Sequence, residues 1–397
     1  MKKIKIIQKT HFLIVMAMIC TLALVGCISS NQKNVKNLQS GSASEPIKLI
    51  YDGDIGPDPC DFSTISMLHE YHNKGFIELI GVIGETPDPY LASTFSIYNQ
   101  IYGNDIPIAA YNPESSDVDF GNNVIEKYYE SIEKTCYIDQ NKSIYRKYGN
   151  EKTFRSNDVM GTVTLYRKLL SEAEDNSIVI YAAGQLYNFP PLLMSGADRF
   201  SSLSGKELLK TKLKKIVLMA GYFPDSKVNS WYNENTSGAE WNWWAFGSKN
   251  TTKTTINALV EMGKPIIYIG AEVGWEVRVG MEMAERLGRE HPTTESFYQY
   301  KHTAKLNIGK EEDSLVLTSE NPAYDEIGLF VAVEGGIGEF FNAIPGRVAV
   351  DENGANSWIL DEGGGESYIT LLPNINQKLS EVITDRITGR FNLKINK

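Results

Sequence analysis

Cysteine is scarce in this chain: Cys20, Cys27, Cys60 and Cys136 are the only four among 397 residues. Two of them fall in the N-terminal segment, so the body carries only Cys60 and Cys136. That excludes a disulfide framework, and without paired spacing it gives no zinc motif. Basic clusters are also lacking. Lysine and arginine total 39 against 49 aspartate and glutamate, a net charge of −10, which argues against nucleic acid or an anionic membrane surface as a partner. There is no internal repeat and no second low-complexity break. One large domain over residues 46–397 is therefore expected, although length alone would allow two.

What is present at the N-terminus reads as an address. Lys2, Lys3, Lys5 and Lys9 precede an apolar run from Phe12 to Gly26. That run is short of the roughly 20 residues a membrane span needs but suits a signal-peptide core. Leu24-Val25-Gly26-Cys27 resembles a bacterial lipobox, which implies a signal peptide over 1–26, lipidation of Cys27 and a membrane-anchored, extracytoplasmic protein. Residues 27–45 are polar and rich in Ser, Asn and Gln, a composition that fits a flexible tether.

In the body, apolar runs alternate with helical patterns. Ile47 to Tyr51, Ile77 to Ile83, Ser177 to Ala183, Lys215 to Met219 and Pro265 to Ile269 read as strands. Helices are expected over Thr64 to Asn73, Leu91 to Tyr102 and Ile327 to Val333. Continuous apolar strands separated by helices imply an α/β fold with a mainly parallel, Rossmann-like sheet covered on both faces. Pro345 to Gly365 reads as a turn-rich β tail with no assigned chemistry. In such sheets ligands sit beyond the carboxyl ends of the strands, so the residues after each strand are the candidates for chemistry.

After the first strand comes Asp52-Gly53-Asp54-Ile55-Gly56-Pro57-Asp58-Pro59-Cys60-Asp61. Four carboxylates in ten residues repel one another unless a cation sits among them, and calcium accepts six to eight oxygen ligands in irregular geometry. An EF-hand loop is excluded, because Gly56 stands at the third ligand position and Ser63 at the closing glutamate. A phosphatase of the haloacid-dehalogenase type also places Asp-x-Asp here, but continues to Thr where this chain has Gly56. A solvated acidic turn is the plain alternative.

This loop resembles the Asp-x-Asp-x-Gly-x-Asp-Asp opening of the calcium-dependent nucleoside hydrolases, in a divergent, lipoprotein-type form. The resemblance implies that Asp54 activates the attacking water while touching calcium, and that Asp61 is a calcium ligand. It places Cys60 where the family has the aspartate that holds the ribose diol, with Asp58 as the alternative for that contact. Ala182-Ala183-Gly184-Gln185-Leu186-Tyr187-Asn188 resembles the family's Gly-Pro-Leu-Thr-Asn turn and implies a calcium-binding backbone carbonyl at Ala183. Met219-Ala220-Gly221 with Glu240-Trp241-Asn242 resembles the family's Met-Gly-Gly and Glu-x-Asn segments. That implies sugar contacts from Met219, Glu240 and Asn242, the last two from one side of an extended segment. Asn233 and Asn235 are further candidates nearby, and Trp241 is a candidate for stacking on the base.

Asp325, in Asn321-Pro322-Ala323-Tyr324-Asp325, implies the residue that closes the calcium shell, with helix N-capping as its ordinary role. Tyr324 stands where many members carry a histidine that protonates the leaving base, and Glu85 where they carry an asparagine on the ribose. Glu272 is a further pocket candidate, and core packing is the plain reading of the tryptophans. The implied activity is hydrolysis of the N-glycosidic bond of a ribonucleoside at a Ca2+ site. Because Cys60, Glu85 and Tyr324 depart from the family pattern, a calcium-containing lipoprotein that binds a nucleoside or sugar without cutting it remains the alternative. The family includes homo-oligomers, though nothing in this sequence identifies an interface.

Overall fold

The computed structural model describes residues 45–56, 58–111, 140–223, 233–234, 236–245, 248–308 and 320–392, with backbone alone over 301–308. The signal segment, nearly all of the tether, Cys27, Cys136 and Asn235 lie outside them. No helix among the described residues is long and apolar enough to cross a membrane.

Among the described residues, six strands and eight helices make the first half of the architecture: β1 (Ile47–Gly53), α1 (Pro59–Asn73), β2 (Ile77–Gly84), α2 (Leu91–Tyr102), β3 (Ile108–Ala109), α3 (Gln140–Tyr148), α4 (Thr162–Glu172), β4 (Ile178–Ala183), α5 (Phe189–Met194), α6 (Gly205–Lys212), β5 (Leu213–Met219) and, after two further helices, β6 (Ile266–Ile269). Those two are α7 (Trp241–Trp244) and α8 (Lys249–Val260). There follow α9 (Ala271–Trp275), β7 (Arg278–Val279), α10 (Met283–Leu287), α11 (Pro292–Ile308), β8 (Asn321–Pro322), α12 (Tyr324–Val333), β9 (Phe341–Val350), β10 (Asn356–Leu360), β11 (Glu366–Leu371) and α13 (Asn376–Ile387).

Nine strands form one sheet in the order β10-β9-β11-β6-β5-β4-β1-β2-β3. From β11 to β3 every neighbouring pair is parallel, while β9 runs antiparallel to β11 and β10 to β9. The expected fold class is thus observed, and the C-terminal tail forms the antiparallel edge of the same sheet. Strand order 3-2-1-4-5-6 is that of a doubly wound fold, and the order reverses between β1 and β4. A crevice at that reversal is where such sheets hold ligands.

Both faces are covered, which explains the unbroken apolar strands. Leu49 and Tyr51 of β1, Val179 and Tyr181 of β4 and Val217 of β5 face a core shared with α1, α2, α12 and α13. Their neighbours Ile50, Ile180, Ile216 and Leu218 face the opposite core, against α4, α5, α6 and α8.

One buried histidine gives the fold an acid sensitivity. His69 of α1 stacks on Tyr102 with ring centroids 5.0 Å apart, and its Nδ1 lies 2.9 Å from Asn104 Nδ2. Burial, with a smaller contribution from His72, lowers its pKa to about 3. Between that value and the ordinary 6.5 the unfolded chain binds a proton that the native state does not, so stability is full above about pH 6.5 and falls as the solution is acidified. Denaturant unfolding at pH 7 and pH 5 should show His69→Gln losing about 2 kcal/mol less than the parent protein over that interval. Equal losses would mean that His69 is protonated in the folded state.

Candidate active site

The carboxyl end of β1 splits its two aspartates between different tasks. Asp52 is fully buried; Tyr166 Oη donates to its Oδ2 at 2.6 Å and Asn188 Nδ2 to its Oδ1 at 2.7 Å. Burial raises its carboxyl to about 7 against the pull of those two hydrogen bonds. Asp52 therefore braces β1 to α4 and to the turn before α5. With both oxygens engaged and no exposed surface, it is not placed to be the nucleophile that the phosphatase reading requires.

Asp54 retains slight exposure. Its N–H donates to Ala183 O at 3.3 Å, the ladder contact that ties the ends of β1 and β4. Gln185 Nε2 donates to Asp54 Oδ2 at 2.5 Å. Burial raises the Asp54 carboxyl to about 7; the Gln185 bond opposes the rise and repulsion from Asp58 adds to it.

Helix α1 begins earlier than the sequence suggested, at Pro59 instead of Thr64. Pro59 occupies the first turn, where a missing N–H costs nothing, and Asp58 is the N-cap, its Oδ1 accepting from Cys60 N at 2.9 Å. This brings Cys60 and Asp61 into the first helical turn. Asp61 Oδ2 accepts from Gly56 N at 3.0 Å, closing the loop on itself. From the far end of the chain, α12 adds Asp325 as its second residue. Asp325 is not the cap; Ala323 occupies that position and has no capping side chain. Its backbone carbonyl accepts from Tyr181 Oη at 2.6 Å, which fixes the start of α12 over β4. Cys60 Sγ donates to Asp325 Oδ2 at 3.3 Å. Donor atoms of Cys60, Asp61 and Asp325 all lie within 4.8 Å of one another.

No lysine or arginine among the described residues pairs with Asp54, Asp58, Asp61 or Asp325. Burial raises the Asp61 carboxyl, with repulsion from Asp54 and Asp325 next. Asp325 rises to about 8, again through burial first and then Asp58. Each close pair of like charges costs about 4 kcal/mol at 4 Å in a surface-like dielectric. The group is stable as anions only with a compensating cation.

Beyond the end of β5, Glu240 is the N-cap of the single-turn helix α7. The extended Glu-x-Asn segment expected from sequence is thus corrected: the backbone turns helical at Trp241. Glu240 Oε2 accepts from Gly221 N at 3.2 Å and Asn242 N at 3.0 Å, and burial raises its carboxyl to about 8. Asn242 Nδ2 donates to Met219 O at 3.0 Å and to Met219 Sδ at 3.4 Å, while Gln185 Nε2 reaches Asn242 Oδ1 at 3.4 Å. Gln185 thereby joins the aspartate side to the Glu240 side.

Searches against family models and curated proteins return no match. Solved structures do match. A plant nucleoside hydrolase superposes with a TM-score of 0.55 at 14% identity, covering 86% of this chain and 99% of its own. The purine-preferring ribonucleoside hydrolase from Gardnerella vaginalis gives 0.56 at 16% identity over 86% and 98%. A type III effector protein complexed with adenosine diphosphate ribose gives 0.60 at 12% identity over 90% and 98%. The fold is that of the nucleoside hydrolases.

On this nucleoside-hydrolase fold the structure brings together Cys60, Asp61 and Asp325, with Asp54 outside that tight group but close enough to repel Asp61 and Asp325, and separately Met219, Glu240 and Asn242. Ala183 lies at the end of β4 with its carbonyl on Asp54 N. Glu85 is fully enclosed and raised by burial and by Asp52 and Asp54. Tyr324 opens α12 and packs against Gly274. Trp241 is partly buried against the core and Trp243 fully so. Asn233 is exposed and faces Gly238. Glu272 Oε2 accepts from Phe223 N at 3.3 Å.

Three contributors were not assigned site roles from sequence. Gln185 looked like a departure from a motif. Asn141, fully buried on α3, donates to Ile55 O and to Asp88 Oδ2 at 2.7 Å each and accepts from Thr94 Oγ1 at 2.6 Å, clamping the aspartate loop to the segment after β2. Asn356 of the β tail exchanges two bonds with the Tyr222 backbone. No local pattern marks these residues, because each acts through a partner distant in sequence.

Gly184 is required by close approach. A Cβ there would stand 2.0 Å from Glu85 Oε2 and 3.1 Å from Asp54 Cβ. Gly184→Ala should push the Glu85 carboxylate aside and shift Asp54 slightly, lowering turnover in the reaction proposed below by less than the roughly 10²-fold of a 1 Å misplacement. Unaltered kcat in steady-state assays would show that Asp54 has room to move without consequence.

Proposed function

We propose that this protein hydrolyses the N-glycosidic bond of ribonucleosides or close analogues, releasing base and ribose, at a calcium site made by Asp54, Asp61, Asp325 and the Ala183 carbonyl. The supporting observation is the presence of three buried carboxylates without a cationic partner, Asp61 and Asp325 grouped together and Asp54 near them, at the strand-order reversal of a nucleoside-hydrolase fold. The four donors are oxygens, three of them carboxylates, which a hard cation accepts; Cys60 Sγ, grouped with Asp61 and Asp325, is the neighbour that it does not. When bound, calcium supplies charge compensation and weak Lewis acidity.

The chain's own residues do the rest. Asp54 removes the proton of the attacking water as its general base, and Gln185 holds the carboxylate in one orientation. Glu240 keeps Oε1 for a sugar hydroxyl, since both backbone bonds go to Oε2. Asn242 is fixed through its amide nitrogen by Met219 and presents Oδ1. Asp58 and Cys60 face the ribose diol, with Glu85 supporting Asp54 from behind Gly184. Asn233 closes the sugar side from the rim. Trp241 shelters the base, and Tyr324 protonates it as it leaves. The oxocarbenium-like transition state of glycoside cleavage is stabilised by the surrounding carboxylates. Lipidation at Cys27 and a tether over 27–45 belong to the same proposal and place the enzyme on the outer face of a membrane.

Binding without cleavage is the second reading. It is favoured by Cys60, a thiol in the tight group where the family has a carboxylate, and by the effector neighbour complexed with adenosine diphosphate ribose. A panel of purine and pyrimidine nucleosides separates the two. Free ribose and base from at least one nucleoside are expected; saturable binding with every nucleoside recovered intact would establish the binding protein instead.

A further inference from the structure

One donor in the cation site does not suit calcium. Cys60 Sγ belongs to the group whose ligand atoms lie within 4.8 Å of one another, with Asp61 and Asp325. The thiol is buried, with 3% of its surface exposed, and its position is fixed from two sides. Pro59 and the Asp58 cap set the start of α1, and the Tyr181 hydroxyl sets the start of α12, which carries Asp325. An independent observation points to a missing ligand. The Tyr51 hydroxyl is completely enclosed and has no hydrogen-bond partner, although it lies in the field of Asp325, Asp61 and Asp54. Gly53 makes the space for it, since a Cβ there would be 2.3 Å from the hydroxyl oxygen. A buried phenol in the field of three carboxylates and bonded to none is suited to a cation-bound water or to the ligand itself.

Calcium coordinates oxygen almost exclusively, whereas a thiolate beside carboxylates is the donor set of a borderline transition ion. We propose that the site takes a divalent transition cation of the zinc type, with Cys60 Sγ, Asp61 and Asp325 as ligands, in preference to calcium. As the sulfur–metal bond forms, the thiol proton leaves to solvent, and the hydrogen bond from Cys60 to Asp325 is replaced by shared ligation. No oxidation state changes. The inference rests on reading these groups as a cation site, but not on any reaction taking place there.

Cobalt(II) is the probe, added to the full-length, metal-stripped protein. A near-ultraviolet sulfur-to-cobalt charge-transfer band is expected in the parent and its loss in Cys60→Ser. Calorimetry should show zinc binding at least roughly tenfold tighter than calcium, with the preference reversed in Cys60→Asp, which restores an all-oxygen set. Three results would each overturn the proposal: no cobalt binding, cobalt binding without the sulfur band, or a band that survives in Cys60→Ser. Ribose release in calcium alone is measured separately. A sulfur band without ribose release removes the hydrolase and leaves the thiolate site; ribose release without the band does the reverse.

Discussion

Asp54→Asn is expected to lower kcat for ribose release by about 10²–10⁴-fold, the range that a positioned general base contributes, while leaving the calcium-free protein more stable. Both effects come from one fact. Asp54 is buried beside Asp58 and Asp61 with no cationic partner, so its charge is unfavourable to the fold and useful only to the reaction. An amide keeps an oxygen acceptor for the Gln185 bond and discards the charge. The gain should be on the order of 1–2 kcal/mol at neutral pH, a fraction of the cost of holding like charges together. Urea unfolding in chelator measures it beside steady-state kinetics. A variant that loses activity and stability together would show that Asp54 holds the loop in place and is not a base.

Calcium at about 100 times its Kd is expected to stabilise the native state by about 2.7 kcal/mol if, as proposed, it binds the folded cluster and not the unfolded chain. For roughly 350 folded residues that corresponds to a Tm rise of about 4 °C, reversed by chelator. Asp325→Asn should reduce the rise, since it removes a charge contributed from 264 residues beyond Asp61. Identical melting curves with calcium and with chelator would mean that the four carboxylates meet their repulsion by protonation alone.

The elements that build the crevice were legible because their signals are local. Leu91 to Tyr102 was read at its true bounds, and β1, β2, β4, β5 and β6 within two residues, since apolar runs between turn residues leave little choice. Helix α1 was placed five residues late: Asp58 and Pro59 were read as part of the cation-binding loop, although proline in a first turn behind an aspartate cap is itself a start signal. Glu240 was read correctly as extended, but the helical turn that starts at Trp241 was missed, because glutamate is an unusual cap. Gln185, Asn141 and Asn356 carry no periodicity and no motif, and their roles exist only once β1, β4, α3 and the C-terminal edge are assembled. Asp325 was read from sequence as a ligand candidate and as a helix cap, and the second reading is corrected, because the helix starts one residue before it.

The most direct single measurement is ribose release from the best nucleoside of the panel while a metal chelator is titrated in and then calcium is restored. Activity should fall to the uncatalysed rate as the site empties and return with calcium. Ribose release that persists at full chelation, or that never rises above background with calcium present, would contradict hydrolysis at this cluster.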